Sequence, residues 1–170
     1  RLVGVYSEPA YDTVYPNGDQ VQQYTVCFAG QRLAGELTVD GVETRDLRFF
    51  TPAEIASADL PDFYQAMVED TLRGGPPVFS PPYTLPDAVD QIKYMRSRIG
   101  RVPYIGVGSV GIVTDDAGRM LLGQRTDTGE WSFPGGYANL GENAAYTVVR
   151  EVYEETGLHV EPTRLMGIFS

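Results

Sequence analysis

Gly136-Tyr137-Ala138-Asn139-Leu140-Gly141-Glu142-Asn143 runs directly into Ala144-Ala145-Tyr146-Thr147-Val148-Val149-Arg150-Glu151-Val152-Tyr153-Glu154-Glu155-Thr156-Gly157-Leu158. Ala145, Val148, Val149 and Val152 recur at spacings of 3, 1 and 3, which marks the buried face of a helix. Asn143 suits an N-cap and Gly157 a left-handed stop, so a helix is expected within 142–158. At about 100° per residue, Glu151, Glu154 and Glu155 fall on one arc of roughly 100° beside the apolar stripe. Like charges at three- and four-residue spacing destabilise a helix, and locally only Arg150, four residues before Glu154, offsets them. The trio calls for a cation. Oxygen-only ligands of high negative charge select hard ions, and magnesium keeps several waters while binding substrate phosphates. Such an ion would neutralise a diphosphate and acidify a bound water, with a remaining carboxylate taking the proton. The competing reading is a solvated acidic helix face.

Gly136, five residues, Glu142, seven residues, then Arg150-Glu151-Val152-Tyr153-Glu154-Glu155-Thr156-Gly157-Leu158 resembles the complete Nudix box. With each specified residue at roughly 5–7% usage, chance would produce it in fewer than about one chain in a million. The resemblance implies an α/β/α sandwich with a mixed sheet, in which loop and helix bind magnesium, or manganese, and hydrolyse a nucleoside diphosphate derivative. It implies metal ligands at Glu151, Glu154 and Glu155, a carbonyl ligand at Gly135, support of the metal site by Glu142, and an orienting role for Arg150 toward a catalytic glutamate. Phe133-Pro134-Gly135-Gly136 is similar to the family's entry to this loop, where glycine permits close backbone approach. Arg125 is a candidate phosphate partner or a surface ion pair, and Trp131 a base-stacking residue or a partly buried aromatic.

Outside the box, residues 100–170 resemble the first half of a Nudix domain and residues 1–73 its second half, in reversed order. The matching features are the turn Tyr15-Pro16-Asn17-Gly18-Asp19, which places Tyr15 and Asp19 as candidate substrate contacts, and Glu43 before Phe49. Glu43 is a candidate metal ligand or base; it also reads as a turn residue after Asp40-Gly41. Arg1-Leu2-Val3-Gly4-Val5-Tyr6-Ser7 recurs as Arg164-Leu165-Met166-Gly167-Ile168-Phe169-Ser170, which suggests duplication. The expectation is a circularly permuted unit or a piece spanning two tandem domains: 1–73, a proline-rich connector at 74–86, and 87–170. The two copies of the strand would then compete for one slot, or chains would exchange halves as a homodimer.

Elsewhere, Asn17-Gly18 predicts a hairpin turn. Alternation over Asp19–Leu33 and the stretch Asp46–Phe50 predict strands, as do Tyr104–Thr114 and Arg119–Arg125 around the turn Asp115-Asp116-Ala117-Gly118. Thr51-Pro52-Ala53-Glu54 reads as a helix start. Helices are expected over Pro61–Arg73, with Phe63, Met67 and Leu72 inward, and across Val89, Ile92, Met95 and Ile99.

A net charge of −10 over 170 residues argues against nucleic-acid polymers, which bind clustered Lys and Arg. It leaves a small nucleotide-like diphosphate, bridged by a divalent cation, as the partner. No apolar run approaches the ~18 residues of a membrane span, and the Arg1-Leu2-Val3-Gly4 start has no secretory leader. A trimmed, soluble, cytoplasmic chain is expected. The single cysteine, Cys27, reads as a small buried hydrophobe. The single histidine, His159, reads as an exposed strand residue, which leaves carboxylates to carry catalysis. The leading function is diphosphate hydrolysis. The alternatives are a catalytically silent nucleotide-sensing module of the same fold, and a prenyl-diphosphate isomerase, for which cysteine and histidine are scarce.

Overall fold

The computed structural model describes residues 1–39, 44 and 46–169. Its strands are β1 (Leu2–Tyr6), β2 (Thr13–Val14), β3 (Gln20–Val21), β4 (Thr25–Phe28), β5 (Val78–Phe79), β6 (Thr84–Val89), β7 (Gly108–Val110), β8 (Gly123–Gln124), β9 (Trp131–Ser132), β10 (Gly135–Tyr137) and β11 (Leu140–Glu142). Its helices are α1 (Pro52–Ile55), α2 (Asp62–Arg73), α3 (Gln91–Ile99) and α4 (Ala144–Thr156), with a 3-10 turn at Pro9–Tyr11.

β1 is the centre of the principal sheet. It lies antiparallel to β4 and parallel to β5, giving the order β4-β1-β5. Val3, Val5 and Tyr6 are all buried, as befits a strand flanked on both edges and covered by a helix. That helix is α2, which packs on β1. The Tyr6 hydroxyl donates to Asp70 on α2 at 2.8 Å, and Met67 is the buried residue of α2. Burying side chains such as Val3 and Val5 stabilises by about 1.5–3 kcal/mol each. Of the other expected inward positions on α2, Phe63 is half-buried and Leu72 is exposed, because a lone helix over a three-stranded sheet covers a narrow stripe.

The remaining strands form two-stranded ribbons: β7 with β10, β6 with β11, β2 with β3, and β8 with β9. The hairpin around Asn17-Gly18 forms as expected, with Gly18 at φ 89° and Tyr15 N–H donating to the Asp19 carbonyl at 2.8 Å. The turn at Asp115–Gly118 also forms, closed by Gly118 N–H to the Asp115 carbonyl at 2.9 Å. Its flanking strands are shorter than expected, reduced to β7, a single bridge between Thr114 and Met120, and β8. Asp19–Leu33 likewise divides into β3 and β4.

Asp46–Phe50 forms no strand. Arg48 instead stacks over Phe50 at 4.4 Å, so Phe50 serves a local contact rather than a sheet. The helix start at Thr51 is a full capping box with Glu54, although α1 runs for only four residues. The proline-rich stretch 74–86 is extended, and it pairs: β5 supplies one edge of the principal sheet, and β6, which holds Pro86, pairs with β11. Proline is tolerated there because a two-stranded ribbon consists of edges. Among the described residues, no helix is long and apolar enough to cross a membrane.

The chain is thus mixed α/β. The 1–30 segment and the proline-rich stretch both reach the 136–158 region. Ser7 Oγ accepts from Ala144 N–H at 3.3 Å, and the Gln22 amide accepts from Gly141 N–H at 2.7 Å while donating to the Glu142 carbonyl at 2.9 Å.

Candidate active site

α4 begins where a side chain can satisfy its free amides. Asn143 Oδ1 accepts from Tyr146 N–H at 2.9 Å and from Tyr83 N–H at 3.1 Å, and Asn143 Nδ2 donates to the Pro81 carbonyl at 2.6 Å. One residue therefore caps the helix and docks it on the proline-rich segment; such caps contribute about 0.5–2 kcal/mol. The helix ends at Gly157, which adopts the left-handed conformation at φ 75° that glycine enters without penalty.

The helix packs on the β7–β10 ribbon. A Cβ at Gly111 would stand 2.9 Å from Val152 Cγ2 and 3.1 Å from Val148 Cγ1, so glycine there lets helix and ribbon close together. Ala145 and Val152 are buried as expected, whereas Val148 and Val149 are half-buried. Thr147 is fully buried in their company. Its hydroxyl is satisfied by the Asn143 carbonyl at 3.1 Å and Glu142 at 3.3 Å, which makes burial of a polar side chain affordable.

Glu142 is the buried anchor. At 2% exposure its carboxylate accepts from Arg150 Nε at 2.7 Å and Nη2 at 3.0 Å, from Asn139 N–H at 3.0 Å, and from Asn139 Nδ2 at 3.4 Å. Burial alone would raise its pKa; the Arg150 fork and the Asn139 bonds outweigh burial and hold it below the usual range. Arg150 is held charged in turn, chiefly by Glu142.

The guanidinium then reaches outward. Its Nη1 donates to Glu151 at 2.8 Å and Glu154 at 3.1 Å, and its Nη2 to the Tyr137 carbonyl at 2.9 Å. Glu155 accepts from Gly135 N–H at 3.1 Å. Burial raises the Glu151 carboxyl, with Glu154 and Glu155 adding to the shift and Arg150 opposing it. Gly136 faces Glu151 so closely that a Cβ would overlap the carboxylate.

The structure therefore brings Gly135, Glu142, Arg150, Glu151, Glu154 and Glu155 to one place. Among the described residues, no three Asp, Glu, His or Cys side chains form a ready-made metal cage. The donor set still suits a hard cation: Glu151 and Glu155 border a glycine pair that admits close approach, and Arg150 ties Glu154 to Glu151.

The other candidates stand apart in their bonding. Arg125 is exposed and forks onto Asp127 at 2.8 and 2.6 Å, although Glu155 also acts on it electrostatically. Trp131 is 65% exposed rather than partly buried, because β9 is paired with β8 alone. Tyr15 and Asp19 sit in the β2–β3 turn, where Asp19 accepts from Asn17 Nδ2 at 2.7 Å. Glu43 lies outside the described residues. His159 is exposed but not in a strand; it stacks on Tyr153 with ring centroids 4.8 Å apart. Cys27 is half-buried in β4.

Sequence reasoning missed Gln22, Asn139 and Thr147. Asn139 and Thr147 lie three residues before and five after Glu142, near enough for a hydrogen-bonding search to find them. Gln22 is 119 residues from Gly141 in sequence and carries no local signal.

Residues 105–170 match the family model for the NUDIX domain. The chain is 42% identical over 67 residues to a "MutT-like protein" of Streptomyces ambofaciens, covering 39% of this chain and 44% of that one. It is 48% identical over 65 residues to "Nucleoside diphosphate-linked moiety X motif 6" of Xenopus laevis, covering 36% and 30%. It is 36% identical over 67 residues to an "RNA pyrophosphohydrolase" of Actinobacillus pleuropneumoniae, covering 39% and 31%. The chain spans less than half the length of each of these relatives. No solved structure matches it. The matched segment, 105–170, carries the Arg150 and glutamate constellation, and it is this part of the chain that is similar to Nudix-family proteins.

Proposed function

We propose that this chain is a divalent-metal-dependent hydrolase that cleaves the diphosphate bond of a nucleoside diphosphate derivative. The observation that carries the reading is a guanidinium anchored in a buried carboxylate and extended to Glu151 and Glu154, beside Glu155 at the glycine pair. Glu151, Glu154, Glu155 and the Gly135 carbonyl would hold magnesium or manganese. A hard divalent ion bound there supplies charge neutralisation for the diphosphate and an acidified water. Arg150 positions Glu151 and Glu154, and Glu142 acts through Arg150, because its own oxygens are engaged within the protein. Trp131, being exposed, offers a face for stacking a base, and Arg125 a cation for phosphate once it leaves Asp127.

The halves are proposed to form one permuted Nudix unit. Support comes from Ser7, Gln22 and Asn143, whose bonds join residues 1–30 and the proline-rich stretch to the 136–158 region.

A panel of nucleoside diphosphate derivatives, assayed for phosphate or monophosphate release with and without magnesium, tests the function. Metal-dependent release is expected. A second reading, a nucleotide-sensing module, is favoured by the commitment of Glu151 and Glu154 to Arg150; nucleotide binding with no turnover on any metal would establish it instead. Gly136→Ala is a sharper local test. The added methyl displaces the end of the Glu151 side chain and leaves the backbone in place, so turnover should fall at least about 10-fold while stability changes by less than ~1 kcal/mol. Full activity with an altered melting curve would argue that Glu151 is not at the reacting centre.

A further inference from the structure

Two segments of this chain share one pattern, and one of them is seated in the principal sheet. The seat makes four demands on the strand that fills it. Arg1 donates to the Thr71 carbonyl at 3.0 Å and the Gly75 carbonyl at 3.3 Å, closing the end nearest α2. Val3, Val5 and Tyr6 are buried as side chains. Gly4 crosses Val78, where a Cβ would lie 2.5 Å from Val78 Cγ2 and 2.7 Å from its carbonyl oxygen, so a side chain at this register is excluded by backbone. Ser7 accepts from Ala144 N–H at 3.3 Å, at the start of α4.

Arg164-Leu165-Met166-Gly167-Ile168-Phe169-Ser170 meets these demands in the same order, with the glycine at the register where the seat forbids any other residue. Residues 164–169 form no strand, and Met166, Ile168 and Phe169 are exposed at 57%, 40% and 89%. What the second copy lacks is the Tyr6 hydroxyl that bonds Asp70, since Phe169 stands in its place. Composition alone would give two apolar strands; it would not place an arginine, a glycine and a serine at matching registers.

We propose that the cleft between β4 and β5 is a strand-binding site with two ligands in one chain, and that Arg164–Ser170 exchanges with Arg1–Ser7 within it. Occupancy by the second copy is in-chain. Arg164 would enter at the place Arg1 holds beside Thr71 and Gly75, and residues 157–163, about 23 Å when extended, tether it to the end of α4. Tethering of this kind gives the segment a high effective concentration at its own seat, ahead of the seat of a second molecule. Backbone pairing supplies the affinity and alternate side chains the selectivity, as in strand addition generally.

The Val5–Val26 pairing of β1 with β4 provides the readout, because Ile168 corresponds in register to Val5. In a Cys27→Ala background, Val26→Cys with Ile168→Cys should close a disulfide within monomers, visible as a linked peptide by mass spectrometry. Tyr6→Phe, which removes a hydrogen bond that the second copy cannot make, should raise its yield roughly five-fold. Gly4→Val, which evicts the first copy, should drive the linkage toward completion, and Gly167→Val should abolish it. Either glycine variant alone should keep cooperative unfolding, and the double variant should lose it. Absence of the 26–168 linkage in Tyr6→Phe and Gly4→Val, while a Val5→Cys and Val26→Cys control closes, overturns the proposal. So does a linkage found only in covalent dimers, which would hand the segment to a second copy. None of these readouts depends on catalysis.

Discussion

Glu155→Gln should lower metal-dependent turnover by at least roughly 100-fold while the protein unfolds at an unchanged denaturant midpoint. The amide is isosteric with the carboxylate and can still accept from Gly135 N–H, so the local structure has no reason to move. Glu155 is exposed on the last turns of α4, and substitutions at such positions usually change stability by less than ~0.5 kcal/mol. What is lost is a negative charge beside the glycine pair that Glu151 also borders, and a neutral ligand holds a hard divalent ion less strongly than a carboxylate does. The expected signature is lost turnover partly restored by higher magnesium or manganese. Steady-state rates across a metal titration measure it, and wild-type rates at limiting metal would remove Glu155 from the site.

Arg150→Met should be the most destabilising single change in the 136–158 region, by about 3–5 kcal/mol, because it leaves a buried carboxylate without its cation. Glu142 would keep Asn139 and Thr147 as partners, but the charge itself would be uncompensated at 2% exposure. The effect carries a pH signature. In the wild type the folded-state pKa of Glu142 is depressed, so its contribution is present above the unfolded value near 4.3 and is lost as pH falls through the folded value. Without Arg150, burial dominates and raises the folded pKa above the unfolded one. The penalty is then full at neutral pH and is relieved as pH falls through that raised value. The gap between wild type and variant should therefore narrow from pH 7 to pH 5 in urea titrations. Glu142→Gln added to Arg150→Met should recover part of the loss at pH 7. A gap that stays constant with pH, unmoved by the second substitution, would show that lost packing of the arginine stem, and not the orphaned charge, is responsible.

The helix of the site was legible because its determinants are local. Asn143, Gly157 and the spacing of Ala145 and Val152 lie within one short stretch, and caps and amphipathic periodicity act over single turns. The same holds for the Asn17-Gly18 hairpin and the Thr51–Glu54 capping box. Strands were legible less well. Asp46–Phe50 has the composition of a strand and forms none, and the proline-rich stretch, read as a connector, supplies β5 and part of β6. A strand exists through its partner, and pairing partners such as Val78 for Gly4 or Thr84 for Glu142 stand far away in sequence. Val148 and Val149 proved half-buried and Thr147 fully buried for a related reason: which side of a helix is covered depends on the ribbon packed against it.

The sequence by itself determined the chemistry available: three carboxylates and an arginine on one helix, preceded by a glycine pair, in a pattern that resembles the Nudix box. Only the tertiary structure decided how that chemistry is held. It buried Glu142 and turned it into the anchor of Arg150, brought Gln22 and Ser7 to the loop and helix start, and seated one copy of a repeated strand while leaving its twin exposed. The division follows from range. Helical turns and caps are fixed by residues within four positions of one another, whereas burial and strand pairing are fixed by neighbours that the chain supplies from a distance.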